Sequence, residues 1–132
     1  MERLRFARFW RLVGWLLVIG VVYLSLTPSL PEVRVGVPAQ DKFGHFITYG
    51  LLAWWFSQAY PLRFHGFFGL FLAALGAVLE ILQDLVGYRY FEYGDMLANI
   101  SGVVGGYLLA RSTPAGTALR RLERLWETQK LF

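Results

Sequence analysis

The sequence predicts an all-α polytopic membrane protein: a four-transmembrane-helix bundle with both termini cytoplasmic, followed by an amphipathic C-terminal helix. Two observations carry the helical membrane class. The 132 residues are 56% hydrophobic and only 17% charged, against about a quarter charged in soluble domains. The apolar residues also gather into uncharged runs of membrane-spanning length. A third, the placement of the basic residues, orients the spans. There is no cysteine, which excludes a disulfide framework, a thiol nucleophile and a cysteine-bound metal.

The predicted layout is a transmembrane domain over residues 1–110, with spans of about 10–31, 43–62, 64–86 and 94–110, and a cytoplasmic tail over 111–132. Leu12 to Pro31 is twenty residues without a charge, and at about 1.5 Å per residue it crosses a hydrocarbon core of about 30 Å. Arg3, Arg5, Arg8 and Arg11 before it resemble the start of a secretory signal, but the run ends in Thr27-Pro28-Ser29 without a small-x-small cleavage site. A retained anchor is expected.

Span two carries His45 as its only ionisable side chain, and span three stays uncharged from Phe64 to Leu79 before meeting Glu80, Gln83 and Asp84. Only Pro61 to Phe64 separates the two, so they form a tight hairpin. Span four is short, and its helix is expected to begin near Gly94 with Asp95 in its first turn. Hydrocarbon offers no water to unpaired backbone groups, which makes helices the expected form of all four.

Most of the thirteen Lys and Arg residues precede span one, sit at Arg63 or follow span four; Arg34, Lys42 and Arg89 are the exceptions. The positive-inside rule then puts both termini in the cytoplasm and the segments 27–42 and 87–94 outside. Topology accounts for the basic surplus, so no nucleic-acid partner is expected. In the tail, Thr113 and Pro114 are expected to start a helix. Leu119, Leu122, Leu125 and Trp126 recur there at helical spacing, beside Arg120, Arg121, Arg124 and Glu127. This pattern predicts a helix lying on the anionic leaflet, or docking a partner.

Topology also decides which polar groups meet. Asp41, Lys42, His45 and Tyr49 share one stripe of span two; Glu80, Gln83 and Asp84 reach the same outer end on span three; Asp95 and Asn99 leave it on span four. A charge inside a membrane costs at least about 2.5 to 3.5 kcal/mol, so such residues face a bundle interior and pair. The expected candidate pocket is therefore Asp41, Lys42, His45, Tyr49, Glu80, Gln83, Arg89, Asp95 and Asn99. Interhelical contacts that merely hold register are the alternative, and Asp84 and Glu92 read as solvated charges. His65, beside Arg63, reads as an interfacial residue. Gly102 and Gly106 form a G-x-x-x-G expected to pack within the bundle, with dimerisation second.

Several chemistries fit these residue types. His45 and Glu80 suit acid–base work, with Lys42 and Arg89 holding a phosphate or carboxylate. Clustered acids and a histidine also suit proton relay. A metal site of His45 with Asp41, Glu80 and Asp95 is conceivable from ligand types, but with one histidine and no short ligand motif no metal is expected, and no cofactor. No catalytic residue is assigned.

The run Asp41-Lys42-x-x-His45-x-x-x-Tyr49, Glu80-x-x-Gln83, Arg89 and Asp95-x-x-x-Asn99-x-x-Gly102-x-x-x-Gly106 resembles the VanZ-like family of small bacterial membrane proteins over residues 41–106. The resemblance implies a bacterial inner (cytoplasmic) membrane protein of the cell envelope, from a family named for a link to teicoplanin resistance. The leading expectation is an outward-facing pocket that binds an anionic lipid headgroup or a lipid-linked envelope precursor, contributing to tolerance of teicoplanin-type glycopeptides. An acid–base enzyme acting on that lipid is one alternative. A small accessory subunit of a larger complex, bound to a membrane protein partner or to its own copies, is another. The six-residue step from Arg89 to Asp95 contains the bulky Tyr90, Phe91, Glu92 and Tyr93, a mild departure from the family pattern.

Overall fold

The computed structural model describes residues 4–28 and 40–129, and among them every regular element is helical. Helix α1 (Ala7–Ser25), α2 (Gln40–Ala59), α3 (His65–Leu85) and α4 (Tyr93–Ser112) precede α5 (Ala118–Gln129), which touches the start of α1 and the end of α2. Two segments, Ala7–Ser25 and Leu62–Leu85, are long and apolar enough to cross a membrane, with mean hydropathies of 1.6 and 1.9. Helices α2 and α4 are as long as α1, but their polar stripes dilute their hydropathy.

Local chemistry sets the boundaries. Helix α1 stops at Ser25, short of the expected residue 31, where Thr27 Oγ1 donates to the Tyr23 carbonyl and Pro28 follows. Residues 29–31, like Arg3, Arg34 and Lys130, lie outside the described residues. Helix α2 ends at Ala59, and Pro61 opens a 3-10 turn, Leu62–Phe64, that feeds α3. At the far end of α3, Gly87 takes φ +75° and the amides of Gly87 and Tyr88 return to the Asp84 and Gln83 carbonyls, closing the helix end.

The tail starts differently from its expected form. Thr113 is extended (φ −135°, ψ 160°) and donates its hydroxyl back to Leu109, ending α4 instead of capping α5. A 3-10 turn, Pro114–Thr117, intervenes. The Gln58 side-chain oxygen accepts the Leu119 amide at 3.1 Å, so α2 supplies the polar contact at the start of α5.

The centre is aromatic and aliphatic. Phe56 and Phe68 stack at 4.4 Å and 14°, flanked by Tyr49, Leu52, Leu72, Val18 and Val103. Helices α2 and α4 press backbone to backbone at Gly102 and Gly106, where an added Cβ would run into the carbonyl oxygens of Phe46 and Gly50. The outer surface is strongly apolar: α4 exposes Leu97, Ile100, Val104 and Leu108, while Asp95 and Asn99 are inside. On α4 this polarity is the reverse of a helix at the surface of a water-soluble domain.

Candidate functional site

The ends of α2, α3 and α4 meet around Asp95, which is fully buried in the first turn of α4. Arg89 Nη2 donates to its Oδ2 at 3.1 Å and lies 3.5 Å from Asp41 Oδ2. The aromatic segment between Arg89 and Asp95 therefore does not keep Arg89 away. Lys42 Nζ lies 3.4 Å from Asp95 Oδ1 and donates to Glu92 Oε2 at 2.7 Å. Glu92, the residue that precedes α4 and 54% exposed, is thus a helix-end charge that also has an ion-pair partner. The Lys42 hydrogen bond holds the Glu92 carboxyl below its ordinary value, and the same bond holds the Lys42 ammonium above its own.

Beneath this rim sit His45, Glu80 and Asn99. His45 Nε2 is 3.5 Å from Glu80 Oε1 and 3.9 Å from Asp95 Oδ2. Its Nδ1 meets Asn99 Oδ1 at 2.9 Å, and because a carbonyl oxygen only accepts, Nδ1 carries the proton and donates. Asn99 fits because Gly76 faces it on α3; an added Cβ there would come within 2.7 Å of Asn99 Nδ2 and 3.2 Å of Tyr49 Cζ. Glu80 Oε2, Asp95 Oδ1 and Asn99 Nδ2 are buried without a hydrogen-bond partner among the described residues.

The structure thus gathers Asp41, Lys42, His45, Glu80, Arg89, Asp95 and Asn99, with Tyr49 buried below them against Gly76. Gln83 turns away: its Nε2 donates to the Ser25 carbonyl at 2.7 Å and ties α3 to α1. Asp84 accepts the Phe91 amide at 3.3 Å. His65 is buried, its Nε2 3.0 Å from the Tyr60 carbonyl and its ring edge-on to Tyr107. A largely apolar cavity of about 240 Å³ beside it, lined in part by Ser57, Gly69 and Val103, lies toward the opposite end of the bundle.

Sequence reasoning also missed Glu123. It faces inward, 6% exposed, and accepts the amides of Arg5 and Phe6 at 2.9 Å each and Trp10 Nε1 at 2.7 Å. A tail carboxylate therefore caps α1, which has no side-chain cap of its own. Leu119 is buried beside it, while Leu122, Leu125 and Trp126 remain outward. Nothing local marks Glu123, because its partners are more than a hundred residues away. No protein-family model, curated protein or solved structure matches the chain.

Proposed function

We propose that this is a VanZ-like integral membrane protein of the bacterial cell envelope. In this reading all four long helices cross the inner membrane, both termini are cytoplasmic, and the Asp95 cluster opens outward. Support comes from the inverted polarity, with apolar stripes outside and Asp95, Asn99 and Glu80 inside, and from the arginines of the opposite end, Arg5, Arg8, Arg11, Arg63 and Arg111. The exposed stripe Leu122, Leu125 and Trp126 suits α5 to the cytoplasmic leaflet.

The pocket engages the anionic headgroup of a lipid or lipid-linked envelope precursor. One observation carries this reading: Lys42 and Arg89, 41% and 36% exposed, stand side by side on the buried Asp95, so both reach solvent while their positions are set from below. A phosphate at the rim exchanges with Glu92 and Asp41, the exposed partners, and leaves the Asp95 contacts in place. Tolerance of a teicoplanin-type drug then follows from shielding a lipid-linked target. The acid–base alternative draws on a separate observation, His45 Nε2 at 3.5 Å from Glu80 Oε1.

Lipid retention tests the headgroup reading. Protein purified in mild detergent is expected to retain anionic phospholipid over phosphatidylcholine, and Lys42→Gln is expected to weaken retention about tenfold with an unchanged elution profile. Equal retention of both lipids, indifferent to Lys42→Gln, refutes it. Turnover of a lipid-linked precursor that His45→Ala abolishes favours the enzyme.

A further inference from the structure

We propose that His45, Glu80 and Asp95 form a binding site for a divalent cation of the Zn2+ or Mn2+ type, with Asn99 orienting the histidine. One ligand atom from each of the three residues lies within 4.8 Å of the others. Metal–ligand bonds of about 2.0 to 2.1 Å in a tetrahedron set ligand atoms about 3.3 to 3.4 Å apart. The separations of 3.5 and 3.9 Å from His45 Nε2 to the two carboxylates lie close to that value.

Asn99 Oδ1 holds a proton on Nδ1, so Nε2 is the nitrogen that His45 turns toward Glu80 and Asp95. A metal-bound histidine has this arrangement, its other nitrogen donating to an oxygen that fixes ring and tautomer. Glu80 Oε2, in a residue 2% exposed, lacks a hydrogen-bond partner among the described residues, whereas Asp95 Oδ1 has the Lys42 ammonium at 3.4 Å. Buried carboxylate oxygens of this kind are costly unless a proton or cation meets them.

Asp41, Glu80, Glu92 and Asp95 outnumber Lys42 and Arg89 by two, and those two cations both lie on Asp95. Glu80 has only His45 as an ion-pair partner among the described residues. A divalent ion neutralises that excess at the least compensated acid. One nitrogen and two carboxylate oxygens favour a borderline ion over Ca2+ or Mg2+, and three protein ligands leave a coordination position open. The ion site stands on this geometry; that its open position takes a headgroup phosphate rests on the headgroup reading.

The test uses the full chain in detergent, its affinity tag removed and its metals stripped by chelator. Titration with Zn2+ alone is expected to give one equivalent bound, with Glu80→Gln and His45→Ala each weakening it at least about 100-fold and Asn99→Ala about tenfold. Asp84→Asn, outside the cluster, leaves it unchanged. Mn2+-loaded wild type, read by pulsed electron paramagnetic resonance, is expected to show one coupled imidazole nitrogen, which keeps the proposal testable if a variant misfolds. No saturable Zn2+ binding, binding untouched by both ligand variants, or no coupled nitrogen overturns it. Metal binding without preferential anionic-lipid retention supports the ion site and overturns the headgroup reading.

Discussion

Replacing Glu123 with alanine should release α5 from the bundle. The side chain is 6% exposed, and its loss strips acceptors from the Arg5 amide, the Phe6 amide and Trp10 Nε1. A hydrogen bond to a charged group contributes about 1.5 to 3 kcal/mol, and a carboxylate at a helix N-terminus adds about 0.3 to 1. Three bonds to one group do not add fully, so a total near 4 kcal/mol is expected, which raises the undocked population about a thousandfold. Glu123→Gln keeps Oε1 for Phe6 and Trp10 but turns an amide nitrogen toward the Arg5 N–H; about 1 to 2 kcal/mol is expected. Limited trypsin digestion reads the difference at Arg121 and Arg124, because cleavage tracks the open population when reclosing is fast. Glu127→Ala, which removes only an exposed partner of Arg5, should accelerate cleavage less than about fivefold. Equal cleavage of the Glu123→Ala and Glu127→Ala proteins would mean that the buried carboxylate does not dock the tail.

Three further expectations follow from the same contacts. Gly106→Ala forces a methyl into the Gly50 carbonyl and should destabilise the α2–α4 pair by about 1 to 3 kcal/mol in a detergent unfolding titration, while Gly20→Ala, which meets open space, should not. The Lys42 bond depresses the Glu92 carboxyl, so folding binds fewer protons than the unfolded chain at mildly acidic pH. The stabilisation is present at neutral pH and lost as acidification passes through the lowered Glu92 value, and Glu92→Gln should erase this part of the acid dependence in a pH series of melts. Because the chain has no cysteine, Tyr90→Cys and Arg121→Cys give clean topology reporters: an impermeant maleimide on intact cells should label the first and spare the second.

How much was legible depends on where each residue's partners lie. The helix count, the hairpin at Pro61 and the first-turn position of Asp95 are local properties, carried by apolar run length and proline chemistry. The stripe Asp41, His45 and the stripe Asp95, Asn99 could be drawn because three- and four-residue steps share a helix face. The destination of each stripe was not legible in the same way. Gln83 belongs to the Glu80 stripe yet bonds the Ser25 carbonyl, because it sits on the side of α3 that faces α1.

The sequence by itself determined that apolar helices dominate this chain and that a small set of acids, cations and one histidine sits near the ends of three of them, since run length and periodicity belong to the chain alone. Only the tertiary structure decided which partners those groups take. Lys42 reaches Glu92 as well as Asp95, Asn99 holds the His45 ring, and Glu123 caps a helix at the other end of the chain. The physical reason is that hydrogen bonds and ion pairs are set at about 3 Å, a scale that depends on how helices rotate and approach. Here that approach is controlled by packing at glycines such as Gly76, Gly102 and Gly106, each of which faces a neighbouring helix.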